Sequence, residues 1–427
     1  MPEVASAAYT SELAAALAPD VLDRLLRYVR IDTQAARDAG DGSPSTPGQL
    51  ELGRLLVDEL LGLGLADAAQ DGNGFVTATL EGTVAGAPVI GLLAHLDTSP
   101  DESGTGVEPI VHRGYDGGTL ELPRRGTVLD PAHMPELTAK IGHDIVTTSG
   151  DTLLGADDKA GVAEVMAAVA YLREHPELPR ATVRVGFTPN EEIGAGAHLF
   201  DIEAFGARCA YTLDGSEAGE FTDETFTAAS ADLTIHGVDV HPGHATGKLV
   251  NAARLAGRVL AALPQDRLTP ESTADREGFI HVTHVAATPG RATIRTIVRD
   301  FDDARLAEHV ALLRRTAEEV VATASRARLE VDVAPQYPNM RRFLDADPEV
   351  SAAAEEALRR EGYSPRRVPA RGGTDGSILS ARGLPTPNLF TGGHEYHSVR
   401  EWASVQDMAS AAAVAVRLAG VWAERSG

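Results

Sequence analysis

A chain of 427 residues exceeds the roughly 250–300 at which one hydrophobic core stops growing, so two domains are expected. Its 43% apolar and 23% charged residues are an ordinary globular balance, and a formal charge of -24 excludes a nucleic-acid partner, because phosphate binding needs clustered Lys and Arg. The single cysteine, Cys209, excludes an internal disulfide and a thiolate metal site, which fits a reducing compartment.

Met1-Pro2-Glu3-Val4-Ala5 lacks a basic leader pattern, and no apolar run approaches the ~18 residues of a membrane span. No membrane partner and a cytoplasmic location are therefore expected. Thr46-Pro47-Gly48-Gln49 supplies an N-cap oxygen, Pro at the first helical position and Gln at the third, which predicts a helix running to about Leu63 and stopped by Gly64. Apolar runs at 75–80, 89–94, 181–187 and 209–213 read as strands, while Val162, Val165, Met166, Val169 and Leu172 recur at helical spacing. Such alternation predicts an α/β fold, a mostly parallel sheet flanked by helices. From about Thr225 the texture changes. Strands at 231–235, 279–286, 292–298 and 329–333 interleave with helices at 250–263 and 304–324, the middle two strands joined through Thr288-Pro289-Gly290. This reads as an inserted α+β domain, 225–336, within a catalytic domain made of 1–224 and 337–427. Asp347-Pro348 caps a further helix that Gly362 ends.

Five segments end in groups that bind metals or move protons. The run 89–94 enters His95-Leu96-Asp97, 153–156 reads as a strand-like run into Asp157-Asp158-Lys159, and 181–187 leads to Thr188-Pro189-Asn190-Glu191-Glu192-Ile193-Gly194. Likewise 210–213 reaches Asp214, and 388–390 is soon followed by His397. In an open α/β sheet, ligands collect at the carboxyl ends of strands, so these loops can converge. Each has a bland explanation taken alone: Asp157-Asp158 as an N-cap, Glu191-Glu192 as a solvated pair, Asp214 as a turn residue. Jointly they supply oxygen and imidazole ligands without thiolate, the donor set of two hard-to-borderline dications, with a spare carboxylate for proton transfer.

Several longer motifs carry a family resemblance: Pro44-Ser45-Thr46, Ala94-His95-Leu96-Asp97-Thr98-Ser99-Pro100-Asp101, Leu154-Gly155-Ala156-Asp157-Asp158-Lys159-Ala160-Gly161, 188–194, His241-Pro242-Gly243, Ile297-Val298-Arg299-Asp300-Phe301-Asp302, Arg371-Gly372-Gly373-Thr374-Asp375-Gly376 and 387–397. Over nearly its whole length the chain resembles the peptidase T family of tripeptide aminopeptidases, within the two-zinc peptidase and deacylase superfamily. The resemblance implies a cytoplasmic metallo-aminopeptidase with two zinc ions per chain that removes the N-terminal residue from short peptides, preferentially tripeptides. Related dipeptidase, carboxypeptidase and N-acyl amino-acid deacylase activities are the alternatives, and a homodimer is open. By the same resemblance His95 and Asp214 hold one zinc, Glu192 and His397 the other, and Asp157 bridges them. Asp97 orients His95, and Glu191 is the general base. The insertion becomes a lid bearing His241 and Arg299, while Arg371 comes from the returning scaffold; an arginine fork suits a peptide's terminal carboxylate. Three ligand carboxylates against two dications leave about one net positive charge, which favours a bound hydroxide. Asn190, His244, Pro338 and His394-Glu395 depart from the family pattern without removing a ligand.

Overall fold

The computed structural model describes residues 9–40 and 42–425; the N-terminal Met1 to Ala5 pattern lies outside the described residues. Contacts divide these residues into two compact units. The first comprises 9–223, 342–368 and 374–425, the second 224–341 and 369–373.

The first unit is built on an eight-stranded sheet with the order Ala69–Gln70, Val76–Leu80, Val183–Thr188, Ile90–His95, Cys209–Gly215, Asn388–Phe390, Glu220–Thr222, Arg366–Arg367. Its four central strands, Val183–Thr188 to Asn388–Phe390 in that order, run parallel, with His95 paired to Thr188, Leu93 to Thr212, and Phe390 to Gly215. Their carboxyl ends therefore open on one edge, the place where an α/β sheet collects ligands. Parallel strands buried on both faces need continuous apolar sequence, and Ile90–His95 is buried at every position. Val76–Leu80, on the outer side of the parallel strands, pairs antiparallel with Val183–Thr188, within the mostly parallel sheet expected. The connection 81–89 leads to Ile90–His95, two places away in the sheet, and is too short for the crossover helix that would bring the chain back in the same direction.

Three long helices, Glu12–Tyr28, Ala156–Glu174 and Val405–Ala423, pack on one another, and the latter two also pack on Ile90–His95. Ala156–Glu174 is buried at most positions because it carries Ala, Gly, Val and Met around most of its circumference. Pro47–Gly62 begins with Pro at its first position, as the sequence predicts, but Thr46 makes no side-chain cap. Gln49 is fully buried, and its amide is shared among Asn190, Ser45 Oγ and Thr46 Oγ1. Leu153 to Gly155 corrects a second expectation, for it is irregular rather than a strand. The backbone N–H groups of Leu154, Gly155 and Asp157 donate to the carboxylate of Glu401 at 2.7, 2.8 and 3.0 Å instead of to a ladder. A small sheet with the order Gly393–His394, Trp402–Ser404, Ile145–Thr147, Ile110–His112 had no sequence signal; its antiparallel first pair pins both ends of the loop carrying His397.

The second unit is an antiparallel sheet with the order Phe279–Ala287, Arg291–Asp300, Thr227–His236, Arg328–Tyr337, together with the helices Ala252–Ala262 and Asp303–Ala322. Alternate residues of Thr227–His236 turn inward, and Leu233, Ile235, Ile294 and Val298 share one core with Leu255, Val259, Leu313 and Val321. Residues 369–373 join this unit because Phe226 N donates to Ala370 O at 3.1 Å and Ala370 N to Glu224 O at 2.8 Å. Arg371 therefore belongs to the second unit and not, as expected from the sequence, to the returning scaffold.

Two glycines test this packing. A methyl on Gly161 would sit 2.0 Å from Leu213 O and 2.5 Å from Asp158 Oδ1, so Gly161→Ala should destabilise by at least about 1–3 kcal/mol, the cost of overpacking. Gly257, exposed within Ala252–Ala262, has nothing within 4 Å of such a methyl, and Gly257→Ala should stabilise by about 0.5–1 kcal/mol. Urea unfolding of both variants checks the opposite signs.

Candidate metal centre

His95 ends its strand almost fully buried, at 2% exposure. Its Nδ1 lies 3.0 Å from the backbone oxygen of Asp97 and 3.5 Å from Asp97 Oδ1, so the ring's other nitrogen is turned toward the acidic loops. There Nε2 lies 2.9 Å from Asp157 Oδ1 and 3.7 Å from Asp214 Oδ1. A metal-ligating imidazole generally has its second nitrogen tied in this way, which fixes tautomer and orientation together.

Asp97 does more than the sequence suggests. Its carboxylate has no solvent exposure and accepts from the backbone N–H of Glu191 at 2.9 Å and of Glu192 at 3.1 Å. The turn is held from its other side by Asn190, whose φ of 61° is in the left-handed region. Asn190 exchanges two 3.1 Å hydrogen bonds with the Gln49 amide and accepts from Ser45 N at 2.9 Å. The side-chain oxygen is the acceptor in two of these bonds and the backbone N–H is the donor in the third, so the turn is tied through both side chain and main chain.

His397 comes from the pinned loop 395–401 with φ 59°. Its Nε2 lies 3.2 Å from Asp157 Oδ2 and 3.0 Å from Glu192 Oε2. Asp157 thus places one oxygen at each imidazole, between the two histidines. Glu192 Oε1 is buried with no hydrogen-bond partner among the described residues. Donor atoms of His95, Asp157 and Glu192, and separately of His95, Asp158 and Asp214, lie within 4.8 Å of one another.

The electrostatics show how expensive this cluster is. Burial raises Glu191 well above the usual carboxylate range, assisted by the charges of Asp214, Asp375 and Glu192; burial with the Asp157 charge takes Glu192 to about 7. Burial opposes protonation of His95, yet Asp157, Asp214 and Asp97 together hold it well above its ordinary value. His397 is pushed up to about 11 by Asp157 and Glu192. Uncompensated buried carboxylates repel, and cations between them would remove that cost. With imidazole nitrogens, clustered carboxylates and an orphaned carboxylate oxygen, the residues fit a pair of divalent cations. Cys209 is no part of this: it is buried in its strand, and burial takes its thiol to about 12.

The geometry brings His95, Asp97, Asp157, Glu191, Glu192, Asp214 and His397 to one edge of the first unit. His241, Arg299 and Arg371 lie on the second unit. Arg371 is engaged there: its Nη1 donates to Asp275 O and Glu277 O at 3.2 and 3.0 Å, its Nη2 to Thr273 Oγ1 at 2.9 Å. Arg299 lies against the Phe279 and Tyr337 rings, with its Nε buried and without a partner among the described residues. The sequence reading missed Asp158, which accepts from His95 N at 2.9 Å, and the buried Glu401 behind the Asp157 turn. Adjacency to Asp157 signals the first; an isolated Glu between Arg400 and Trp402 gives no signal for the second.

Comparison with known proteins places the chain in a family. The model of Peptidase family M20/M25/M40 matches residues 152–420. Peptidase T of Shouchella clausii is 45% identical over 408 residues, covering 95% of this chain and 99% of that protein. Among solved structures, aminopeptidase PepT from Bacillus cereus superposes with a TM-score of 0.73 at 23% identity, covering 95% of this chain and 99% of that one. A Bacillus subtilis protein described as a dinuclear metal binding peptidase from the M20 family gives 0.63 at 17% identity, with 96% and 99% covered.

Glu401→Gln isolates the support of the Asp157 turn. An amide replaces one acceptor oxygen with a donor facing a backbone N–H, which should cost about 1–3 kcal/mol and weaken metal retention while the Glu191-Glu192 turn stays in place. Thermal unfolding and metal content after dialysis are the readouts.

Proposed function

The chain belongs to peptidase family M20/M25/M40, within its peptidase T branch, and from that premise we infer how the centre works. It is a metallo-aminopeptidase that releases the N-terminal residue of short peptides, tripeptides by preference. The observation that carries the mechanism is Asp157, one oxygen at His95 Nε2 and the other at His397 Nε2, with Glu192 Oε1 buried and without a partner among the described residues.

In this reading His95 and Asp214 would hold one cation, Glu192 and His397 the other, and Asp157 would serve both. Imidazole and carboxylate donors without thiolate favour two zinc ions. When bound, such a pair would supply Lewis acidity to the scissile carbonyl and lower the pKa of water. Glu191 takes the proton of the attacking water on its carboxylate and hands it to the nitrogen of the leaving amine. Asp97 sets His95 through Nδ1 and fixes the Glu191 and Glu192 backbone, so base and ligand keep one spacing. The second unit supplies substrate-binding groups. Arg299 grips the peptide's terminal carboxylate; its Nη1 donates to Arg371 O at 3.3 Å, but its Nε has no partner among the described residues, which supports it over Arg371, whose guanidinium makes three hydrogen bonds. His241, whose Nδ1 accepts from Gly243 N at 3.1 Å, keeps Nε2 for the substrate. The single buried cysteine supports a cytoplasmic enzyme. Among the described residues no helix is long and apolar enough to cross a membrane.

Glu191→Ala should keep both metals and lower turnover by roughly two to four orders of magnitude, the range for a positioned general base. Glu192→Ala should instead lose one metal. Elemental analysis beside turnover of a free tripeptide separates the two roles, and the reverse pattern would exchange them.

Loss of a charge-assisted hydrogen bond costs about 1.5–3 kcal/mol, so Arg299→Ala or C-terminal amidation should each lower kcat/KM about ten- to a hundredfold. Combining them should add little, since both remove the same contact. Equal kcat/KM on free and amidated tripeptides would reject the arginine's role, and faster cleavage of N-acyl substrates would reject the aminopeptidase.

A further inference from the structure

His397 differs from His95 in how it is held. His95 is buried on a strand, where packing and the Asp97 contacts at Nδ1 together restrict its ring. The His397 side chain is 39% exposed, on an irregular loop in a left-handed backbone conformation, so hydrogen bonding must fix its orientation. With Nε2 turned to Asp157 and Glu192, the remaining nitrogen, Nδ1, lies 3.3 Å from Asp101 Oδ2.

Asp101 is itself anchored. Its Oδ1 accepts from Arg37 Nη2 at 2.7 Å. Arg37's segment is stitched to the same loop, since Ala35 N donates to Thr98 O at 2.9 Å and Gln34 Nε2 to Ser99 O and Glu102 O at 3.1 and 2.6 Å. We propose that Asp101, held by Arg37, is the positioning residue for His397, so that the single segment 97–101 orients both imidazoles of the centre, Asp97 for His95 and Asp101 for His397. The inference rests on the two-cation reading above and adds to it a residue that touches neither metal nor substrate.

Energetics set this role apart from a structural one. The Arg37 and Asp101 side chains are 60% and 47% exposed, and ion pairs in that setting contribute little to folding. An outer partner of a metal-bound histidine, in contrast, commonly changes metal affinity by 10- to 100-fold. Removing Asp101 should therefore leave the fold alone and weaken one cation position selectively.

The test titrates metal-free full-length protein with Zn2+ by competition against a chromophoric chelator, alongside thermal unfolding of the metal-free forms. Wild type should bind two equivalents. Asp101→Asn should bind one as wild type does and the other about 10- to 100-fold more weakly, with an unchanged melting temperature; Arg37→Ala should show a smaller loss at the same position, and Asp101→Glu should recover part of it. Wild-type binding of both cations by Asp101→Asn, or equal weakening of both with a lowered melting temperature, would overturn the inference. A wild type that binds fewer than two equivalents would overturn the two-cation reading, and the inference with it.

Discussion

One buried carboxylate holds the centre together. Asp97 leaves no atom to solvent, takes the backbone N–H groups of Glu191 and Glu192 on its two oxygens, and receives His95 Nδ1 on its backbone carbonyl. A buried carboxylate is tolerable only when it is hydrogen-bonded, and here its partners are the two backbone N–H groups of the Glu191-Glu192 turn. That arrangement needs two parallel strand ends side by side. The pairing of His95 with Thr188 supplies them: a one-residue slip would turn His95 to the opposite face and leave Asp97 facing no turn.

The rest of the first unit keeps strained and charged loops in place around that joint. Gln49 gives up a capping role to clasp Asn190, Glu401 gives its charge to three backbone N–H groups behind Asp157, and a small sheet clamps the His397 loop at both ends. The first two use a buried polar group where an apolar one would pack at lower cost, a pattern expected when stability is traded for fixed site geometry.

Much of this was legible in the sequence because it rests on local rules. Apolar runs ending in His95, Glu191 and Asp214 gave both the strands and the edge at which they open, and Pro47 and Pro348 marked their helices. What stayed illegible depends on partners far away in the chain. Leu153 to Gly155 looks like a strand until Glu401 takes its N–H groups, Gln49 looks like a capping residue until Asn190 claims it, and Arg371 looks like scaffold until Phe226 and Glu224 bind its neighbour Ala370. Val76–Leu80 was recognisable as a strand, whereas its direction followed from the length of the next connection. Asp101 lies within a recognised motif, yet nothing local says that it faces His397.

The central claim is that two cations lie on either side of Asp157, one with His95 and Asp214, the other with Glu192 and His397. Anomalous diffraction from a zinc-loaded crystal, recorded on both sides of the zinc edge, tests it most directly. The account requires two peaks flanking the Asp157 carboxylate, each within coordination distance of its named histidine; a single peak, or a peak bound by neither His95 nor His397, would contradict it.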